Sequence, residues 1–310
     1  MPILAEYGLV PDVFDSSCYT STDLCDVHLQ NLKEALLTDG LVRNLHDGEW
    51  KRVFETKGRT WHNRGKELLR KLATQNRLRL YPACGATCPT DDVGWCNEAI
   101  ASHGGANLQG IVTTDSTYGP FRGNVLVAPI TRLSSAAWWR SRSPSVRLRR
   151  NLVEYKAHLG LILACANSMM LVDAHLDPSQ TRYSESIDLI CEMRGRVPRP
   201  LVEIHRVCYV GSGPHRQIIP NVEWRRRFSQ ASARLQAAGL QVDVFIWDDL
   251  HDRHIISDLV GIQLGNGLDT TTSTAKTTWD RLGRDDRDDV QREFDPASGE
   301  HNLRDRFSIP

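Results

Sequence analysis

No apolar run in this sequence approaches the roughly 18 residues that a membrane-spanning helix needs, so membrane insertion is not expected. Net charge is absent as well. The 38 basic and 38 acidic side chains balance at pH 7, which removes any global field pulling the chain onto nucleic acid or an anionic membrane. Polyanion binding is then left to local patches. The start "MPILAEYGLVPDVFDSS" carries acids where a secretory leader wants basic residues, and a cytoplasmic setting is expected. Cysteines number eight in 310 residues, and Cys165, Cys191 and Cys208 sit inside apolar periodic segments, where a thiol behaves as a small hydrophobe. They read as reduced thiols.

What is present is enough apolar side chain, 40%, to bury a sizeable core, and a length that suits two α/β domains. In the first half, "STDLCDVHLQNLKEALLTDG" has a polar start, Leu29, Leu32 and Leu36 at helical spacing, and Gly40 as a stop. "WHNRGKELLRKLATQ" is a second helix, and "RLRLYP" and "LQGIVTTD" are strands. These predict an N-terminal α/β domain of undetermined type over residues 1–131.

Residues 132–150 change character: Arg132, Arg140, Arg142, Arg147, Arg149 and Arg150 surround Trp138 and Trp139 with no acid among them. Arginines beside exposed aromatics can hold phosphate and stack on bases, and the bland alternative is a solvated linker whose tryptophans dock on a neighbouring domain. From residue 151 helix and strand alternate. "NLVEYKAHLGLILACANS" is a helix, "MMLVDAHLDP" a buried strand, "YSESIDLICEM" a helix, "RPLVEIHRVCYV" a strand, "NVEWRRRFSQASARLQAAGL" a helix ended by Gly239, and "QVDVFIW" a strand. A hairpin-like return and an irregular polar tail follow. The C-terminal domain, residues 151–310, is therefore expected to be a mixed β-sheet flanked by helices.

Chemistry concentrates where "DVFIWDDLHDRHIISDLVGIQLGNGLD" breaks an apolar strand with a run of acids and histidines. His251 and Arg253 are two apart in an extended segment and project to one side, with Asp258 five residues on, while His254 faces away. Two other strand ends offer partners: Glu203 with His205, and Asp173 with His175. Each pair also has a bland reading, as a hydrogen-bonded support for loops or a strand terminator. In the tail, "TSTAKTTW" offers hydroxyls and Lys276 to a phosphate near Arg253, and "RDDRDDVQREFD" reads as a solvated face.

The spacing His-x-Arg-x4-Asp with Gly265 and Asn266 downstream resembles the signature of the phospholipase D superfamily, closest to the phospholipase D-like C-terminal domain of MIT-domain proteins. It covers about half the chain. Arg253 stands where that family carries lysine, and the family's Gly-Ser-x-Asn is incomplete. The resemblance implies metal-independent phosphodiester cleavage without cofactors. His251 would be the nucleophile that forms a phosphohistidine, and Arg253, Asn266 and Lys276 would hold the phosphate. No second copy of the motif occurs, so the acid must come from His205 with Glu203, from His175 with Asp173, or from a homodimer that pairs two copies of His251. With Asp173, His175, Arg149 and Arg150 taken as substrate contacts, nucleic acid is the expected partner and nuclease the expected activity, with bacterial antiviral defence as a setting. The alternatives are an inactive module that binds phospholipid headgroups or a protein, and a scaffold or sensor subunit of a larger complex.

Two weaker constellations remain. Cys84, Cys88 and Cys96 with His103 could ligate zinc, although only the first pair has ligand spacing, and the alternative is a cysteine-containing loop. Asp12, Asp15, Glu98 and Asp115 lie near apparent strand ends, faintly like the acidic clusters of PIN-type nucleases; ordinary caps and turns are the alternative. Residues 51–80 are locally basic, either as a nucleic-acid face or as solvated helix surface.

Overall fold

The computed structural model describes residues 3–56, 58–271 and 274–310. The chain is mixed α/β and divides into two compact units: residues 4–142, and residues 143–310 together with residue 3.

The first unit is built on five parallel strands, β1 (Ala5–Leu9), β2 (Gly40–Asn44), β3 (Leu78–Leu80), β4 (Gly110–Thr113) and β5 (Val127–Pro129), in the order β3-β2-β1-β4-β5. β1 is buried along its whole length, as a central parallel strand covered on both faces must be. The Thr22–Asp39 helix starts on Ser21, whose side chain accepts from the Leu24 N–H, and it buries Leu29, Leu32 and Leu36. Gly40 ends it, as the sequence suggests, in an extended conformation (φ −108°); a Cβ there would meet the Leu36 side chain at 2.7 Å.

The Arg/Trp-rich segment is not a free linker. Trp138 is buried and Trp139 packs beside it against the Tyr7 ring, while Arg142 bonds Asp39 at 2.6 Å and stacks over Trp139. The tryptophans are apolar bulk that finds a core, and Arg147 and Arg149 fall beyond the division, in a strand of the second unit. Gly110 is the point of closest approach: a Cβ there would stand 2.3 Å from the Trp138 ring. Gly110→Ala should therefore destabilise by about 2–3 kcal/mol through overpacking, read as a lower midpoint in denaturant. An unchanged midpoint would show that the indole moves aside freely.

The second unit holds an eight-stranded sheet in the order β15-β11-β8-β7-β12-β13-β14-β6. Its strands are β6 (Ser145–Arg149), β7 (Ser168–Asp173), β8 (Leu201–Val207), β11 (Val242–Trp247), β12 (Arg253–Ser257), β13 (Gly261–Leu264), β14 (Lys276–Arg281) and β15 (Leu303–Ile309). A separate hairpin joins β9 (Tyr209–Val210) to β10 (Gln217–Ile218). β7, β8 and β11 pair in parallel, and β12 returns antiparallel to β7.

Two expectations need correction here. The helix read over residues 221–238 is two, Asn221–Ser229 and Ser232–Ala237. The tail is not irregular: it supplies β14, the solvated Arg284–Glu293 helix and β15, which pairs with β11. Its alternation is visible in β14, where Thr277 and Trp279 are buried between exposed Lys276, Thr278 and Asp280.

Candidate functional site

Register fixes which side chains of the second unit share a face. Arg253 pairs with Asp173, at the ends of β12 and β7, so both lie on one face of the sheet. Asp173 is fully buried. Its carboxylate accepts from the backbone N–H groups of His175 and Leu268, both at 3.0 Å, and lies 3.9 Å from Arg253 Nε. Only glycine fits at position 267, since a Cβ there would stand 2.3 Å from Asp173 Oδ2. Burial pushes the Asp173 carboxyl above its ordinary range against the pull of those donors, and burial lowers the half-buried His175. Deeper on the same end, Arg206 donates to the carbonyls of Leu176, Val207 and Tyr209 and lies 3.5 Å over the Trp224 ring. Burial would raise Asp177, but hydrogen bonds from Ser179, Gln180 and Arg227 hold it below the carboxylate range.

The histidines do not converge as the sequence suggested. His251 lies before β12 in an irregular segment, its side chain 70% exposed and 3.5 Å from Asp249. His205 and His254 both pair with Val172, which puts them on the face opposite Asp173 and Arg253. His205 is buried in an aromatic stack, 4.5 Å from Phe245 and 5.8 Å from Trp247, and its Nδ1 accepts from Trp247 Nε1 at 3.1 Å. Glu203 reaches its other nitrogen at 3.6 Å. The pair is a core feature and cannot serve as the acid for His251. A strand alternates faces with period two, so the side of a histidine depends on pairing register and not on composition.

The remaining expected contacts also disperse. Lys276 pairs with Arg149, on the face opposite Trp279 and hence opposite Arg253. Arg150 is spent on Asp269. Asn266 is exposed, its backbone N–H donating to Thr277 Oγ1, and Asp258 accepts from the N–H groups of Asn167 and Ser168 at the start of β7.

Burial holds both His205 and His254 below the ordinary histidine value of 6.5. The unfolded chain then binds protons that the folded chain refuses, so stability falls as pH drops through about 6.5. We expect the denaturant midpoint to decline from pH 7.5 to 5.5, and His205→Phe to shrink that decline; an equal slope in the variant would remove His205 from the effect.

In the first unit the strand order reverses between β1 and β4, the switch point where open parallel sheets leave a crevice beyond the carboxyl ends of their strands. Three segments bring acids to that edge. The turn after β1 carries Asp12 and Asp15, β4 runs into Thr113, Thr114 and Asp115, and Asp92 opens the Asp92–Gly105 helix. Asp12 is fully buried. Its Oδ2 accepts from Thr113 Oγ1 (3.1 Å), Thr114 N (3.1 Å) and Thr114 Oγ1 (2.5 Å), leaving Oδ1 with one long contact at 3.3 Å. Asp92 pairs with Arg59 at 2.8 Å, and Asp115 with Arg132 at 3.0 Å and Thr131. Burial, with Asp12 and Asp15 nearby, raises the Asp92 carboxyl despite Arg59. The same acids push the Cys18 thiol, already raised by burial, to about 11. Sequence reading missed Asp92, because "PTDDVGW" reads as a helix cap; Asp91 is that cap, accepting from the Gly94 N–H, and Asp92 takes no part in it but pairs with Arg59 at the edge.

Glu98 does not belong to this edge: it bonds His46 Nδ1 at 3.1 Å and the Cys84 N–H at 2.8 Å. The zinc reading is not supported either. Cys84 and Cys88 are exposed, Cys96 is buried, and His103 Nδ1 is taken by the Leu108 N–H. Among the described residues, no group of three or more His, Cys, Asp or Glu side chains is placed to hold a metal ion.

No protein-family model and no curated protein matches the chain. Among solved structures it is similar to TrmBL2, described as an archaeal chromatin protein with a novel mode of DNA binding, at 12% identity over 74% of this chain and 78% of that one, with a TM-score of 0.30. No described helix is long and apolar enough to cross a membrane.

Proposed function

We propose that the chain cleaves phosphodiester bonds of nucleic acid, and that the reaction belongs to the acidic edge of the first unit. The observation that supports this reading is the gathering of Asp12, Asp15, Asp92 and Asp115 at the switch point between β1 and β4. Carboxylates gathered at one edge attract a cation, and Mg²⁺ is commonly held by one or two carboxylates, with water and substrate phosphate completing its shell. A set of two is what this edge can offer: Asp12, whose Oδ1 remains nearly free, and Asp92, with Asp115 at the rim. Bound there, the cation would polarise the phosphoryl oxygen and supply a nucleophilic water near neutral pH. The chain's own contribution is positional. Thr113 and Thr114 lock the Asp12 carboxylate, while Arg59 and Arg132 set positive charge beside Asp92 and Asp115, within reach of phosphate oxygens.

The second unit favours a supporting role, as the phospholipase D-like reading allows for an inactive descendant. Arg253 faces buried Asp173, and neither His205 nor His254 shares its face. The routes left to phosphohistidine chemistry are a homodimer that brings two exposed copies of His251 together and His175, beside Asp173, as the acid. One assay separates the two: cleavage of labelled DNA and RNA with Mg²⁺ or Mn²⁺ and in chelator, beside His251→Ala. Cleavage that needs the cation and survives in the variant supports the acidic edge; cleavage in chelator that the variant loses overturns it.

A further inference from the structure

The two strands at one edge of the second sheet carry cations that pair with no carboxylate among the described residues. Lys276 of β14 stands directly opposite Arg149 of β6, and Thr278 opposite Arg147. All four are exposed, while Val146, Leu148, Thr277 and Trp279 turn into the core, so the ladder presents one polar face. Like charges facing each other across an antiparallel pair are destabilising. Here Lys276 and Arg149 do so with no ion pair or hydrogen bond to either side chain, or to Arg147, among the described residues. Many other arginines of the unit have a carboxylate partner, among them Arg150, Arg225, Arg227, Arg234, Arg304 and Arg306. Asp280, opposite Ser145, is the acid on this face.

We propose that this ladder is a binding surface for the sugar-phosphate backbone of a nucleic-acid single strand. Side chains two apart on a strand repeat at about 6.8 Å, a step comparable to the phosphate repeat of an extended strand. Arg147 and Arg149 then meet successive phosphates, Lys276 adds a second cation at the Arg149 rung, and the Thr278 hydroxyl can donate to a phosphate oxygen. The ladder offers cations and a hydroxyl, groups that suit phosphate oxygens, so binding is through the backbone and indifferent to sequence. The proposal rests on the nucleic-acid reading above only for its choice of polyanion.

The test is fluorescence anisotropy of labelled single-stranded DNA and RNA with the full chain, in chelator, from about 50 to 200 mM salt, the range over which phosphate neutralisation reveals itself. The triple variant Arg147→Gln, Arg149→Gln, Lys276→Gln should bind tenfold or more weakly. Its plot of log K against log salt should flatten by about 1.4, since the variant leaves two phosphates without a cation and each on a single strand takes about 0.7 from the slope. A control triple variant, Arg226→Gln, Arg284→Gln, Arg292→Gln, should match the wild type. An unchanged slope in the ladder variant overturns the proposal, as does a wild-type chain that binds no oligonucleotide at low salt. So does binding through the ladder to phosphatidylserine vesicles in place of oligonucleotides. Asp12→Asn should lower cleavage and leave this binding intact, so the two proposals fail separately.

Discussion

Asp12→Asn should lower cation-dependent cleavage by about a thousandfold, about 4 kcal/mol of transition-state stabilisation, while leaving the melting temperature nearly unchanged. The fold tolerates the amide because it keeps the shape of the carboxylate. The Asn oxygen still accepts from the Thr114 N–H, and the hydroxyls of Thr113 and Thr114 can rotate to suit an amide. What disappears is the charge. With its oxygen kept on the Thr114 N–H, the amide places its NH2 group at the Oδ1 position, which cannot ligate a divalent cation, and the substitution removes the ligand while keeping the backbone contact that aims the side chain. Asp115→Asn, at the exposed rim, should cost less, and Glu98→Gln should leave cleavage unchanged, because Glu98 serves His46 and Cys84 away from the edge. Equal losses for Asp12→Asn and Glu98→Gln, or unaltered cleavage in Asp12→Asn, would sink the assignment.

The different visibility of these residues in the sequence has a physical basis. Helices and strands with local periodicity are readable: the Ser21-capped helix, the buried β7 and the alternation of strands and helices from residue 151 follow from side-chain spacing. Faces are not. His205 and Arg253 both look like strand-end site residues, yet parallel pairing of β8 with β7 and antiparallel pairing of β12 with β7 send them to opposite sides. That fact exists only in the register between strands distant in sequence. The acidic edge is half legible, because Asp12, Asp15 and Asp115 sit beside recognisable strands, whereas Asp92 hides behind its own cap. Arg206 gives no signal at all. Arginine in an apolar strand reads as surface, and only the three carbonyls and the indole that surround it explain why it is inside.

Arg206→Ala should destabilise the second unit by about 4 kcal/mol, in the range for breaking a buried charged network, and lower its melting temperature by roughly 10 °C. Its guanidinium is 1% exposed and uses its fork to close three separate backbone ends: the Leu176 carbonyl after β7, Val207 at the end of β8, and Tyr209 in β9. Truncation orphans all three acceptors and strips the cation from the face of Trp224. It also leaves Asp173 and Asp177 without the buried positive charge near them, while burial already drives the arginine's own pKa down to about 10. Arg206→Lys should recover part of the loss, since an ammonium restores the charge but cannot reach three carbonyls in one plane. The exposed Arg226→Ala, whose partner Glu223 also has Arg227, should cost no more than a few tenths of a kcal/mol. If alanine at 206 proved as mild as alanine at 226, the guanidinium would be a passenger in the core. If lysine proved as costly as alanine, the three carbonyls would outweigh the charge in fixing the end of the sheet where Asp173 and Arg253 meet.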